Sequence, residues 1–448
     1  MTEVDARDRV SDVRAHSTPS GVALARAGAL NLAARLTSGA ATLGLAALST
    51  NVLDTHDRGV YAILTLLAGV GATIITGGTT VIAADLIHGR HGERMLHGAT
   101  FAIAMGAAFV LLPVSAAVAL VSSAPVVALV ATALLCALVT YSSYEMNIDQ
   151  ARGDVLRVSL TDIAMAGLPL VTSVAAAIVF EPTVTTLVAA WTAAALVTAS
   201  VQFVIARAGG ATFVRRAWRL GASVLRRSAG VALANGTSLL SSRIDVFVVA
   251  AVVSVSTAGI YSIPVALAAN LLLLSRALLT AAYRSIMTAP DDEIGWRLSS
   301  ALHHSVIIVL AGGLASLPVV AVAGGPIFGE AYSDIWQPYA LLVPASACIC
   351  VVEVLRHVLL TRLERQREFV LLVTAMLFMN GILAAAGAAA FGMLGAAAST
   401  TVTYALAAVA LVSVCSRLLD VPMRDLAVPR WSDLAAYRRI GGSLLSRR

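Results

Sequence analysis

The sequence predicts an all-α integral membrane protein of about twelve transmembrane helices in two six-helix lobes. Three observations carry this expectation: the scarcity of charge, the regular recurrence of apolar stretches, and a one-sided distribution of arginine. Of 448 residues, 58% are hydrophobic and only 12% are charged, and the mean hydropathy is +0.86. Soluble domains carry about 25% charged residues, so a water-soluble fold of this length lacks half the charge its surface would need.

A spanning helix needs about 20 predominantly apolar residues. Twelve stretches meet that length in order: 28–52, 59–83, 98–121, 124–145, 155–180, 183–206, 229–253, 259–283, 300–323, 338–360, 369–390 and 394–415. The turns Ser122-Ser123-Ala124-Pro125, Glu181-Pro182 and Phe391-Gly392-Met393 are short enough to make tight helical hairpins. The longest connection on that side, 324–337, leaves no room for a catalytic domain.

All basic residues are arginine, a composition typical of a GC-rich bacterial genome. They cluster in the N-terminal segment, in every second loop and in the C-terminal tail, while the opposite set of loops holds only Arg58 against Asp54, Asp57, Glu181, Glu330 and Asp334. Arginine-rich segments face the cytoplasm, so both termini are expected there, in a bacterial cytoplasmic membrane. This placement explains the pI of about 9.4 without nucleic acid. The connection 207–227 carries six arginines and no acid, and such a segment attracts anionic lipids by about 1 kcal/mol per residue.

That connection falls midway, which divides the chain into a cytoplasmic segment 1–25, an N-lobe 26–206, a basic linker 207–227, a C-lobe 228–415 and a cytoplasmic tail 416–448. The tail, "WSDLAAYRRIGGSLLSRR", is expected to lie on the membrane surface as an amphipathic segment. Gly59 and Tyr61 recur as Gly259 and Tyr261, 200 residues on, each pair in the first exterior loop of its half. Six helices per half preserve orientation, so the repeat is parallel. The first twenty residues lack the apolar run of a cleavable signal peptide. Cys136, Cys348, Cys350 and Cys415 all lie in apolar spans, as small hydrophobes rather than disulfide or metal ligands. No nucleophile–base set, metal-ligand spacing or phosphate-binding glycine loop is present, so neither enzyme activity nor a cofactor is expected.

Four stretches carry a family resemblance. "RAGALNLAARLTSGAATLGLAALSTNVLDTHDRGVYAILTLLAGVGATI" resembles the first two helices of bacterial polysaccharide flippases, within the multidrug, oligosaccharidyl-lipid and polysaccharide exporter superfamily. "SLLSSRIDVFVVAAVVSVSTAGIYSIPVALAANLLLLSRAL" is similar to the start of their second half. "IFGEAYSDIWQPYALLVPASA", with Phe328, Gly329, Glu330 and Tyr332, resembles their exterior loop, and "FGMLGAAASTTVTYAL" resembles their last hairpin. The resemblance implies a V-shaped, MATE-like transporter that moves a polyprenyl-diphosphate-linked oligosaccharide between leaflets, with glycan-assembly proteins as partners. Twelve spans depart from the fourteen of the peptidoglycan-precursor branch. A cation-coupled multidrug exporter is the alternative, and a membrane-embedded polymerase or ligase a weaker one.

Charges inside spans are costly and usually face an interior cavity. Those here are Arg35, Asp162, Arg243, Asp245, Arg276, Glu353 and Arg356. At 1.5 Å rise per residue, Arg35 and Arg276 each lie roughly 12 Å from the cytoplasmic end of their helix. They belong to different halves, and a guanidinium fork grips phosphate in bidentate fashion, so the pair is read as a diphosphate clamp. The competing reading pairs them with Asp162 or Glu353. Asp162, Arg243 and Asp245 are candidate cavity or coupling charges. A continuous helix would point Arg243 and Asp245 in nearly opposite directions, and would let Glu353 and Arg356 pair at i,i+3. His303 and His304 are expected at the solvated interface. Gly77-Gly78, Pro169 and Pro264 are candidate flex points.

Cysteines placed at Ser123 or Thr183 should be modified by a membrane-impermeant thiol reagent in intact cells, and one at Gly210 should be spared. Labelling at Gly210 would reverse the orientation.

Overall fold

The computed structural model describes residues 21–76, 90–122, 125–210, 215–287, 289–363 and 365–427. Every regular element among them is helical. In order they are α1 (Gly21–Val52), α2 (Thr55–Thr76), α3 (Arg90–Ser122), α4 (Val126–Arg152), α5 (Val155–Val179), α6 (Val184–Ala208), α7 (Arg215–Ser241), α8 (Ile244–Val252), α9 (Val255–Met287) and α10 (Asp291–Phe328). A 3₁₀ turn (Glu330–Tyr332) follows, then α11 (Trp336–His357) with a π-turn (Val358–Arg362), α12 (Gln366–Leu419) and the short α13 (Met423–Ala427). Nine of these helices, among the described residues, are long and apolar enough to cross a membrane. α12 holds two crossings, because Phe391 and Gly392 leave helical geometry (Gly392 φ 60°, ψ −141°) at the hairpin the sequence predicted. α7 and α8 together make one crossing, broken at Ser242–Arg243.

Two helices run well beyond their expected spans: α10 starts at Asp291 rather than near 300, and α7 at Arg215 rather than near 229. Both prolongations are amphiphilic turns that continue a helix beyond the hydrocarbon, which hydropathy alone does not register. The flex point Gly77-Gly78 and the tail stretch from Trp431 onward lie outside the described residues.

In the first half α1 packs on α5, α5 on α6, α6 on α4, and α4 on α3 and α2; in the second, α9 packs on α10 and α11, and α12 on α7, α8 and α11. The halves meet through α2 against α9 and through α7 against α3 and α2, with α2 and α9 making the closest backbone approach. The reason lies in the repeated glycines. A Cβ on Gly259 would stand 2.6 Å from the Thr55 carbonyl and 2.7 Å from the Gly59 nitrogen, and one on Gly59 would strike the Val255 carbonyl. The Gly-x-Tyr echo is thus the crossing point of the two halves. Asn51 adds a hydrogen bond from Nδ2 to the Ile327 carbonyl, 2.8 Å, between α1 and α10 at the same end of the bundle. The hairpin of α12 uses the same device, with Gly387 and Gly395 backbone to backbone.

Helix termini are closed by arginine as well as by backbone turns. The last carbonyls of a helix have no intrahelical donor, and Arg362 Nη1 donates to Ile286, Met287 and Ala289 at 3.3, 3.1 and 2.8 Å, fastening the π-turn to the end of α9.

Gly259→Ala should lower the unfolding temperature in detergent, because overpacking costs about 1–3 kcal/mol. Gly69→Ala, where an added methyl meets no atom within 4 Å, should leave it unchanged or higher. Equal behaviour of the two variants would dismiss the crossing-point assignment.

Candidate functional site

A cavity of about 320 Å³ lies within the second half, bounded by α7, α8, α9, α11 and α12, with Thr73 of α2 on its remaining side. It exists because the seventh crossing is broken. Arg243 takes φ −133°, ψ −6°, which ends α7 and restarts the helix as α8. Irregular backbone at membrane depth is tolerated only where protein or a cavity satisfies its polar groups. Here Asn380 Nδ2 of α12 donates to the freed Ser241 carbonyl at 2.7 Å, and Ser242 Oγ turns back to the Leu239 carbonyl at 2.7 Å.

The break places Arg243 and Asp245 together on the cavity wall. This corrects the expectation that they point apart, which assumed an unbroken helix. Asp245 is 1% exposed. Its carboxylate accepts from Tyr261 Oη (2.7 Å, α9), Thr400 Oγ1 (3.1 Å, α12) and its neighbour's backbone, Val246 N (2.9 Å). Thr400 Oγ1 also lies 3.4 Å from Asn380 Oδ1. The result is a buried knot of oxygens joining α8, α9 and α12 directly under the helix break. Among the described residues, the Arg243 guanidinium makes one long hydrogen bond, to the Val265 carbonyl at 3.4 Å.

Arg276 of α9 binds Glu353 of α11 in bidentate fashion, Nε to Oε2 at 3.0 Å and Nη2 to Oε1 at 2.6 Å. Glu353 therefore pairs across helices and not with Arg356 one turn on, as its spacing suggested. The reason is geometric: a fork facing the carboxylate from a neighbouring helix satisfies both oxygens, whereas an i,i+3 partner on the same helix reaches one. Arg356 donates instead to Asn235 Oδ1 of α7 at 3.1 Å. Three guanidiniums and two carboxylates thus line one cavity, and the balance is cationic.

Of the expected clamp, the structure brings Arg276 to this wall but not Arg35. Arg35 lies on α1, its Nε buried without a hydrogen-bond partner and its charge acting on Asp162 of α5. Ser38 Oγ donates to the Asp162 backbone carbonyl at 3.1 Å, so this first-half pair stays with α1 and α5. His303, expected in solvent, is buried at 3% exposure within the long α10. Cys350 is engaged with Ser275 Oγ at 2.7 Å. Sequence reasoning missed Tyr261, Asn380 and Thr400 as site residues. Only Tyr261 carried a signal, as the second member of the repeated Gly-x-Tyr. Among the described residues no group of three or more His, Cys, Asp and Glu side chains could hold a metal ion.

No protein-family model matches the chain, and no curated protein does. Solved structures do match. A multidrug resistance MATE family transporter of the MOP superfamily in its inward-facing conformation aligns with TM-score 0.66 at 12% identity, covering 90% of this chain and 100% of that one. An outward-facing conformation of such a transporter aligns with TM-score 0.61 at 15% identity, covering 90% and 99%. A MOP superfamily transporter from Pyrococcus furiosus, described by a binding pocket of reversed polarity, aligns with TM-score 0.56 at 14% identity, covering 88% and 93%. These likenesses give the fold: a MATE-like arrangement of membrane helices.

Removing one partner leaves the other charge uncompensated; because the Arg276 side chain is 43% exposed and Glu353 16%, the cost falls below the roughly 3–5 kcal/mol of a fully buried pair. Glu353→Gln should therefore lower the unfolding temperature of purified protein, and adding Arg276→Gln should restore most of the loss. A double variant no more stable than Glu353→Gln would show that the pair does not hold these helices together.

Proposed function

We propose that the protein is a membrane transporter that works by alternating access and carries cargo with an anionic group through the second-half cavity. The observation that supports this most is the cavity's charge balance. Both carboxylates are engaged by their own partners, Glu353 by Arg276 and Asp245 by Tyr261 and Thr400, while among the described residues Arg243 makes one long hydrogen bond, to a backbone carbonyl. Arginine is always charged and suits phosphate or carboxylate. In this reading Arg243 and Arg276 receive the anion, and Arg35 with Asp162 steadies α1 against α5. The sealed outer end, at Gly59–Gly259 and Asn51–Ile327, is the junction that would part when the halves rock.

Asp245 is the coupling group of this reading. A carboxylate held by two hydroxyls beside an amide oxygen can exchange a proton or a small hard cation, since such ions take oxygen ligands. Binding there would bias the break between α7 and α8, because Asn380 and Thr400 touch both. Export of drugs by a cation-coupled MATE-type pump is the reading nearest to the names of the structural neighbours. The flippase reading rests on the cationic cavity and on the four resembling stretches, with a polyprenyl-diphosphate glycan as cargo. Both describe a multi-pass transporter and not an enzyme, oriented with its termini in the cytoplasm.

Proteoliposomes separate the two. An anionic amphiphile should be moved by the wild type at a rate that Arg243→Ala lowers about tenfold or more, since a lost charge-assisted hydrogen bond is worth about 1.5–3 kcal/mol. Transport of lipophilic cations only, with Arg243→Ala unimpaired, would favour the drug exporter and reject anionic cargo.

A further inference from the structure

A second, larger cavity of about 660 Å³ lies in the first half, away from the site above, among α4, α5 and α6. Its volume falls in the range of small-molecule sites, about 300–1,000 Å³. Its polarity is graded along the helix axes. One end carries Glu145, Asp149 and Arg152 from the end of α4 and Arg157 from the start of α5; the rest is walled by residues such as Leu160, Leu168, Val197 and Val201. Between Arg157 and Leu168 the helix rises about 16 Å, which matches one leaflet of a hydrocarbon core about 30 Å thick.

The apolar wall opens to the bilayer. Leu160 is 57% exposed and continues the stripe of Leu156, Val171 and Ile178 along α5, and Val197, Val201 and Ile205 form the corresponding exposed stripe of α6. The opposite side of α5 packs on α1, through Ser38 to Asp162 and Leu170 beside Gly44. The cavity is therefore on the outer flank of the first half.

The charged end is built with both signs interleaved. Arg152 Nη1 donates to Asp149 Oδ1 at 3.1 Å, Arg157 reaches Asp149 at 3.8 Å and Asp154 at 3.1 Å, and the Arg157 side chain is 48% exposed. Below them, Glu145 is held by His97 (2.7 Å) and Thr100 (2.9 Å), and Arg152 Nη2 contacts His97 Nε2 at 3.1 Å. Because arginine is donor-only, this contact makes His97 Nε2 the acceptor, which puts the ring proton on Nδ1 toward Glu145. The floor thus sets a carboxylate beside the imidazole and the guanidinium, so the charged end is mixed in sign.

We propose that this cavity holds one zwitterionic phospholipid with an ethanolamine headgroup, taken from the leaflet on the arginine-rich side. Its phosphate meets Arg157 and Arg152. Its ammonium, with three N–H donors, meets Asp149, the cavity-lining carboxylate nearest the two arginines. One acyl chain lies along Leu160, Leu168 and Val201. A phosphatidylglycerol headgroup would bring a phosphate to the two lining carboxylates, Glu145 and Asp149, with no cation to offer them, and a choline headgroup cannot donate to them. The site is independent of the cargo reading above, and the lipid it binds wedges α5 apart from α4 at the end where both lead toward the basic connections.

Native mass spectrometry of the full chain, released from nanodiscs of equal phosphatidylethanolamine, phosphatidylglycerol and phosphatidylcholine, tests this. One retained phosphatidylethanolamine per protein is expected. Arg157→Gln and Asp149→Asn should each reduce its occupancy about tenfold, and Ala164→Trp, which fills the cavity from α5, should remove it. Melting temperatures identify any variant that has failed to fold, and Arg157, half exposed, is the variant least exposed to that failure. Equal retention of phosphatidylglycerol, or undiminished phosphatidylethanolamine in folded Arg157→Gln or Ala164→Trp, would overturn the proposal.

Discussion

A charge inside a bilayer has no water to turn to, and this constraint shapes the second half of the protein. An arginine at membrane centre costs about 2.5–3.5 kcal/mol on insertion scales, so each one present must recover that cost from protein groups. Arg276 does so through both oxygens of Glu353, Arg356 through Asn235, and Asp245 through Tyr261 and Thr400. Each of these contacts joins different helices. The pairs therefore act as ties that hold α7, α8, α9, α11 and α12 around a polar space that van der Waals packing alone would close. Arg243 is the group least served by this arrangement, and it sits where the helix breaks.

The two Gly-x-Tyr stretches share one role and differ in another. Gly59 and Gly259 keep identical roles, each making room for the other's backbone. Their tyrosines do not. Tyr261 donates to Asp245, whereas the Tyr61 hydroxyl finds no hydrogen-bond partner among the described residues and its ring instead receives Arg58 at 5.5 Å and packs near Trp191. At the repeat offset, Asp245 corresponds to Leu45, a buried apolar residue. The second half thus carries an acid beside its cavity at a position where the first half carries leucine.

Fold class and helix order were legible because hydropathy reports directly on what a bilayer accepts, and because Phe391-Gly392-Met393 can only be a turn. The same signal is blind to helix ends in water, so α10 begins nine residues earlier than its apolar stretch, at Asp291. The site was half legible. Charges in apolar spans drew attention to Arg243, Asp245, Arg276 and Glu353, since such residues are rare there. Their partners were not readable: Tyr261, Asn380 and Thr400 are unremarkable in an apolar helix, and no local pattern announces the break at Ser242–Arg243. Without that break the helical wheel separates Arg243 from Asp245, and depth along separate helices made Arg35 look like the mate of Arg276. Depth gives one coordinate; the pairing needed the other two.

The proposed role of the second-half cavity is to receive an anion at Arg243 beside the Arg276–Glu353 pair. Calorimetry of a polyprenyl diphosphate binding to purified protein in detergent, for the wild type and for Arg243→Ala at matched thermal stability, decides whether it does. Saturable one-to-one binding that weakens about tenfold or more in the variant is expected. Equal affinity in both proteins would rule out an anion site at Arg243.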